Sequence, residues 1–228
     1  MKYYIPNPKI DSQITEIRLK IRLSMNGIVS EQMSANGIIY KKNFGVSITR
    51  LKEIAKTYIP NHDLAQRLWE LKIRETMILA TLLEPTQEFS SENALNWISD
   101  FNNIEMVEQS CMNLFCKMQN ANILCLKCVQ SPDIWQKITG FVLAARISKE
   151  LTSSEIHSIL EMSIQISETD NFHLYKAVAL CLSRFCRKDK NTAMSILNEI
   201  KAFEQSSKIG QQFIMTEVNQ EILFLDIL

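Results

Sequence analysis

The stretch DFNNIEMVEQSCMNLFCK, residues 100–117, decides the fold class. Two of its carboxylates, Glu105 and Glu108, stand three positions apart and are therefore neighbours on one helix surface. Such a pair can take part in a reaction, or it can simply lie on the solvent-exposed side of a helix. The apolar side chains recur at helical spacing, so the other face is predicted to be buried. They are Val107, Cys111, Leu114 and Phe115.

The rest of the chain is predicted to be helical as well. Only five Gly and five Pro are present, and no alternating strand pattern of useful length occurs. Helix pairs recur at intervals of about 35 to 40 residues, which is close to the spacing of HEAT repeats. Stacked pairs of this kind bury a continuous core and leave one concave groove for a partner. We therefore predict an all-α, HEAT-like helical-repeat solenoid.

Four helix starts are predicted from capping residues: Asn61, Ser131 before Pro132, Thr152 with Glu155, and Asp170.

Composition and targeting signals favour one cytoplasmic domain, residues 1–228. Hydrophobic residues make up 46% of the chain and charged residues 22%, as in globular proteins. No apolar run follows Lys2, so no signal peptide is predicted. No run of ~18 apolar residues occurs, so no membrane span and no membrane partner are expected.

The six cysteines are predicted to be reduced and buried, as in a cytoplasmic protein. Cys125 and Cys128 form a CxxC, but a structural zinc site needs four ligands, and no second CxxC or nearby His is present. No metal and no cofactor are therefore expected.

Residues 100–117 resemble the central signature of the AlkD-type DNA alkylation repair family, which typically reads DF-D-S-W-D-x-C-D-Q-x-C-x-NLF. The resemblance extends from about Phe44 to Lys190 and implies a fold of HEAT-like repeats and a role in DNA repair. Four further segments resemble the family in the same order along the chain: NFGVSITRLKEIAK, LAQRLWELKIRETMILATLL, IWQKITGFVLAA and KAVALCLSRFCRKDK.

The family resemblance also implies a reaction. Alkylation at N3 or N7 leaves a purine cationic and makes it a good leaving group. Breaking the N-glycosidic bond develops positive charge on the sugar, so a nearby anion and an oriented water assist the step. The resemblance assigns this anion to Glu108, with Glu105 as its partner. Glu108 is one methylene longer than the aspartate of the family, and a displacement of about 1 Å can cost roughly 100-fold in rate.

Three positions depart from the family pattern. The signature tryptophan is replaced by Ile104, an arginine by Ile138, and a second tryptophan by Leu180. Aliphatic side chains lack the electron-rich face that meets a cationic base and the guanidinium that grips a phosphate. Lys137, next to Ile138, still provides one positive charge. The three aliphatic residues would equally suit core packing, and as groove residues they predict reduced or lost activity.

Charge is distributed unevenly along the chain. The net charge is zero, yet residues 1–74 hold 13 Lys and Arg against 6 acids, and residues 75–120 hold 1 against 7. DNA binding requires a basic surface, although basic runs also occur as ordinary solvated faces. A first basic arm is predicted from Lys41, Lys42, Arg50, Lys52 and Lys56. The other predicted phosphate contacts are Lys137, Arg187, Lys188 and Lys190.

Two functions remain open from the sequence. The first is a DNA alkylation repair protein that binds double-stranded, alkylated DNA, with glycosylase activity that is reduced or lost. The alternative is a non-catalytic HEAT-like scaffold that binds DNA or a protein partner. Affinity for DNA that falls steeply with salt would favour the first.

Overall fold

The computed structural model describes residues 5–226, and within this range all regular structure is helical. Residues 5–226 contain thirteen α-helices and two short 3₁₀ helices. The α-helices are α1 Pro8–Leu23, α2 Gly27–Ala35, α3 Ile48–Ala55, α4 His62–Glu70, α5 Arg74–Leu83, α6 Ser91–Ile98, α7 Ile104–Asn113, α8 Ala121–Gln130, α9 Ile134–Arg146, α10 Ser153–Gln165, α11 Phe172–Cys186, α12 Lys190–Ile200 and α13 Ile209–Phe224, and the 3₁₀ helices are Phe115–Lys117 and Lys201–Gln205.

The helices form two compact units. The N-terminal unit contains residues 5–90 and 102–114, and the C-terminal unit contains residues 91–101 and 115–226. In the N-terminal unit α5 packs against α3, α4 and α7. In the C-terminal unit α9 packs against α8 and α11, and α11 packs against α13. Contacts between alternate helices, such as α9, α11 and α13, are typical of stacked helix pairs. The predicted all-helical class is confirmed, while a single domain over residues 1–228 stays a prediction.

Helix α7 is shorter than the stretch of residues 100–117 that predicts it. It begins at Ile104 and ends at Asn113. The four apolar residues that predicted its buried face are all in the core, with Phe115 in the 3₁₀ turn that follows. No helix in residues 5–226 is both long enough and apolar enough to cross a membrane.

Two of the predicted helix caps are present. The Asn61 side chain accepts a hydrogen bond from the backbone N–H of Leu64 at 2.9 Å. Thr152 and Glu155 form the reciprocal capping box at the start of α10, in which each side chain bonds the other residue's backbone N–H. Both caps act within one turn of sequence, and this explains why residue type and spacing predict them.

Two other predicted caps were wrong by one or two residues. Ser131 ends α8, and its hydroxyl accepts from the N–H of Asp133, which is the residue that caps α9. Asn171, rather than Asp170, caps α11. In each case a second residue suited to capping follows within two positions, and the predicted residue lies just before the helix start.

Helices α8 and α9 approach each other closely at Gly140. A Cβ atom built there would lie 2.6 Å from the Val129 backbone nitrogen and 2.7 Å from the Val129 Cγ2 atom. The thiol of Cys125 also donates to the Gly140 carbonyl at 3.3 Å. The glycine therefore sets the distance between the two helices.

Gly140→Ala should destabilise the protein by about 1–3 kcal/mol, because the added methyl group forces two packed helices apart. This loss should appear although alanine favours a helix by about 1 kcal/mol over glycine. Gly27→Ala is the control, since no atom lies within 4 Å of the position of its Cβ. Urea unfolding of both variants measures the effect, and equal midpoints would contradict close packing at Gly140.

Candidate functional site

The two carboxylates of α7 have different surroundings. Asn103 caps the helix by accepting from the N–H of Met106 at 3.1 Å. Glu105 lies in the first turn and is mostly buried, with 14% of its side chain exposed. Glu108 lies one turn further along, and its side chain is exposed. The pair that is uniform in sequence is therefore divided into one packed carboxylate and one exposed carboxylate.

Glu105 is held by two side chains of the N-terminal unit. Arg74 grips it with two hydrogen bonds, from Nε at 2.8 Å and from Nη2 at 2.6 Å. The Tyr40 hydroxyl donates to the same carboxylate at 2.8 Å. Bidentate arginine–carboxylate pairs are among the stronger polar contacts in proteins. Glu105, predicted as the partner of Glu108 in catalysis, is thus committed to an interaction that fixes the start of α7.

Arg74 and Glu75 form the buried centre of this network. Their side chains are 3% and 0% exposed, and the Nη1 atom of Arg74 lies 3.1 Å from the Glu75 carboxylate. Glu75 also accepts from the backbone N–H groups of Phe44, at 3.1 Å, and Val46, at 3.3 Å. Arg74 returns a bond from Nη1 to the Val46 carbonyl at 2.8 Å. The segment before α3 is therefore tied to the start of α5.

The network also shifts two protonation equilibria. Burial alone would lower the pKa of Arg74, but hydrogen bonds and opposite charge from Glu105 and Glu75 outweigh it and raise that pKa. Burial, and then the charge of Glu105, raises the pKa of the Tyr40 phenol. Arg74 therefore stays charged and Tyr40 stays a hydrogen-bond donor throughout the physiological range.

Lys41 and Lys42, predicted as DNA contacts, lie on the segment that Glu75 holds, and both are exposed. The Lys42 ammonium lies 5.0 Å from the centre of the Phe44 ring, within the range of a cation–π contact. They belong to the same unit as Glu105 and Glu108. Their role in binding remains a prediction.

The remaining predicted DNA contacts belong to the C-terminal unit. Arg187 pairs with Glu221 of α13, with one of its bonds at 3.0 Å, and Lys188 donates to the Leu151 carbonyl. Lys190 is exposed at the start of α12, and Lys137 is half-buried on α9. Two of the four cations are thus engaged within the protein, which would compete with a phosphate.

The three positions that depart from the family pattern differ in burial. Ile138 is 1% exposed and belongs to the core of the C-terminal unit. Leu180 is 40% exposed on α11 and lines a surface cavity of about 330 Å³, together with Phe213 and charged residues. Ile104 is half-buried at the first position of α7. Core packing thus accounts for Ile138 but not for Leu180.

The cysteines are packed as apolar side chains. All six are free, and five of them are buried. Burial raises the pKa of the Cys128 thiol to about 12, and it also raises the pKa of Cys125. Protonated thiols are poor metal ligands. No cluster of three or more potential metal ligands occurs within residues 5–226.

Sequence reasoning did not find the Arg74–Glu75 pair. The signal is present in the stretch IRETMILATLL, where two opposite charges precede a run of apolar residues at a helix start. Charged residues flanked by a buried run need partners, and here the partners come from residues about 30 positions away.

The helical stack resembles a known class of proteins. A solved structure from a family of proteins related to the HEAT-like repeat DNA glycosylases, with affinity for branched DNA structures, matches with a TM-score of 0.76. The match is at 15% identity and covers 90% of this chain and 94% of the other. At this identity the likeness establishes the fold, which is that of a HEAT-like helical repeat. No curated protein sequence matches the chain.

The chain belongs to the DNA alkylation repair enzyme family, whose model matches residues 22–207. This match confirms the resemblance found in residues 100–117 and in the four other segments.

Replacing Glu105 tests whether it is primarily a structural residue. Glu105→Gln removes the charge that Arg74 grips, and because Arg74 keeps Glu75, the expected loss is about 2–3 kcal/mol of stability. Glu108→Gln on the same helix should change stability by less than about 1 kcal/mol, as is typical of exposed charges. Chemical denaturation compares the two variants. Equal losses would contradict the division of roles between these carboxylates.

Proposed function

We propose that this protein binds DNA through the sugar-phosphate backbone and that excision of alkylated purines at Glu108 is slow or absent. Membership of the DNA alkylation repair family and the affinity of the similar solved protein for branched DNA support the binding. The exposed Lys41 and Lys42 support it as well. Double-stranded DNA is the proposed partner, and an alkylated base is not required. We keep the cytoplasm as the proposed location, because all six cysteines are free thiols.

The exposed Leu180 carries the loss of excision, and the buried Ile138 accounts for a missing phosphate donor. The family pattern has an arginine at this position, which could bind phosphate with a bidentate fork. Ile138 is instead 1% exposed, so it presents neither charge nor surface to a ligand. Leu180 is exposed but offers no electron-rich ring to a cationic base.

The exposure of Glu108 supports the same conclusion. A carboxylate stabilises a developing positive charge most effectively in a site from which water is excluded. An exposed carboxylate is hydrated and screened, so its attraction for a cation nearby is several-fold weaker. In the free protein Glu108 therefore retains the charge of the family's catalytic residue without the water-excluded surroundings that make this charge effective.

A four-way DNA junction and a linear duplex of equal length are the ligands for a binding test. Fluorescence anisotropy should show affinity that falls at least about 10-fold between 50 and 200 mM NaCl. The reason is that lysine and arginine side chains that bind DNA phosphates release the counterions condensed on the DNA. Lack of affinity for both DNA forms would contradict DNA binding and favour a scaffold for a protein partner. Affinity that is independent of salt would contradict binding through the sugar-phosphate backbone.

Release of 7-methylguanine from methylated duplex DNA tests the second half of the proposal. The wild-type protein and Glu108→Gln should release the base at rates within about twofold of each other, because residual release does not depend on this carboxylate. A wild-type rate about 100-fold or more above that of Glu108→Gln would show that excision at Glu108 survives.

A further inference from the structure

A surface crevice in the N-terminal unit is lined by three cations. Arg18 and Arg22 come from α1, where a spacing of four residues places them on one face. Lys42 comes from the segment before α3. Among the described residues, no carboxylate lines this crevice. The remaining lining residues are Ile21, Phe44, Ile73 and Thr76.

The two arginines of the crevice differ from the other arginines of the unit. Within residues 5–226, neither Arg18 nor Arg22 forms an ion pair, although they repel each other as like charges on one helix face. The other three arginines of the unit are paired with carboxylates: Arg50 with Glu53, Arg67 with Asp11 and Asp63, and Arg74 with Glu75 and Glu105. The unpaired arginines are therefore gathered at one place, where an external anion would relieve their repulsion.

One wall of the crevice is fixed before any ligand binds. The Lys42 carbonyl accepts from the backbone N–H of Arg74 at 2.9 Å, and the Phe44 carbonyl accepts from that of Asn26 at 2.8 Å. Between these anchors and α3, Gly45 has a φ of +68°, and a Cβ atom there would lie 2.0 Å from the Asn26 carbonyl oxygen. A ligand would meet backbone that is already ordered, so little backbone conformational entropy is lost on binding.

The crevice combines these cations with an aromatic ring. Phe44 is half-buried, and the Lys42 ammonium lies 5.0 Å from its ring centre. Basic side chains beside an aromatic face suit nucleic acid, because the cations bind phosphates and the ring packs on a sugar or an unstacked base. Such bases occur where duplex strands separate.

We propose that Arg18, Arg22 and Lys42 form a phosphate-binding site for the DNA backbone, with the Phe44 ring packed against the adjoining nucleotide. This inference rests on the proposed DNA binding and adds Arg18 and Arg22 to the residues that carry it. Of these three residues, only Lys42 was predicted from the sequence as a DNA contact.

Replacement of the two arginines tests the site. The double variant Arg18→Gln, Arg22→Gln should bind the four-way junction about 10-fold or more weakly at 100 mM NaCl, and its salt slope should fall by about 1 for each arginine removed. Arg18→Lys, Arg22→Lys should recover the salt slope and part of the affinity, because lysine keeps the charge but not the bidentate fork. The melting temperature of the glutamine variant should be equal to or above that of the wild type, since like charges are removed.

Lys9→Gln is the matched control on the same helix. Lys9 is exposed and lies nine residues before Arg18, so it projects about 180° around the helix from the crevice. Its replacement should leave the junction affinity within about twofold and the salt slope unchanged. Because Lys9→Gln removes one charge and the double variant removes two, a diffuse effect of charge would give Lys9→Gln half of the loss in binding free energy, or about 3-fold in affinity. A loss of this size would overturn the site.

The outcomes separate this site from the general proposal. If the wild type binds DNA in a salt-dependent way and the double variant retains this binding in full, the crevice is not the phosphate site, but the proposed DNA binding is still supported. If the wild type does not bind DNA, both proposals fail together. Binding of the protein to vesicles with equal amounts of phosphatidylserine and phosphatidylcholine is measured as well. Capture of the wild type by the vesicles but not by DNA, lost in the double variant, would replace the nucleic acid with a lipid headgroup.

Discussion

The N-terminal unit depends on one buried arginine. Four hydrogen bonds from the Arg74 side chain are shared among the Glu105 carboxylate, the Glu75 carboxylate and the Val46 carbonyl. A buried charge is tolerated only where its donors are satisfied, and a planar guanidinium can satisfy several at once. These bonds join α5 to α7 and to the segment before α3. The arginine thereby connects three parts of the chain that are distant in sequence.

This connection explains why the acidic pair of α7 does not act as a pair. Glu105 has a structural role, because both of its oxygens face Arg74 and one also accepts from Tyr40. Glu108 is left exposed on the adjacent turn. The same arginine and its neighbour Glu75 hold Lys42 and Phe44 in place, so the buried charges organise the exposed ones. In this unit, stability and the proposed interaction with DNA depend on the same few residues.

Whether the sequence predicts a structural feature depends on how far apart along the chain the residues that form it lie. The α7 core positions and the caps at Asn61 and Thr152 follow from neighbours within a turn or two, and they were predicted. The caps predicted at Ser131 and Asp170 were wrong because a second suitable residue follows each of them within two positions. The pairing of Arg187 with Glu221 joins residues 34 positions apart. Residue spacing carries no information on such a contact, and the same holds for Arg74 and Glu105.

Hydrogen exchange at the backbone N–H groups of Phe44 and Val46 shows whether the buried charges fix the segment before α3. Both groups donate to the buried Glu75 carboxylate. If the buried charges fix this segment, the two amides of the free wild-type protein should exchange roughly 1,000-fold or more slowly than in an unstructured peptide. Protection that is already complete without DNA is the predicted result. Exchange at the rate of an open loop, or protection that appears only when DNA is added, would show that the buried charges do not fix this segment.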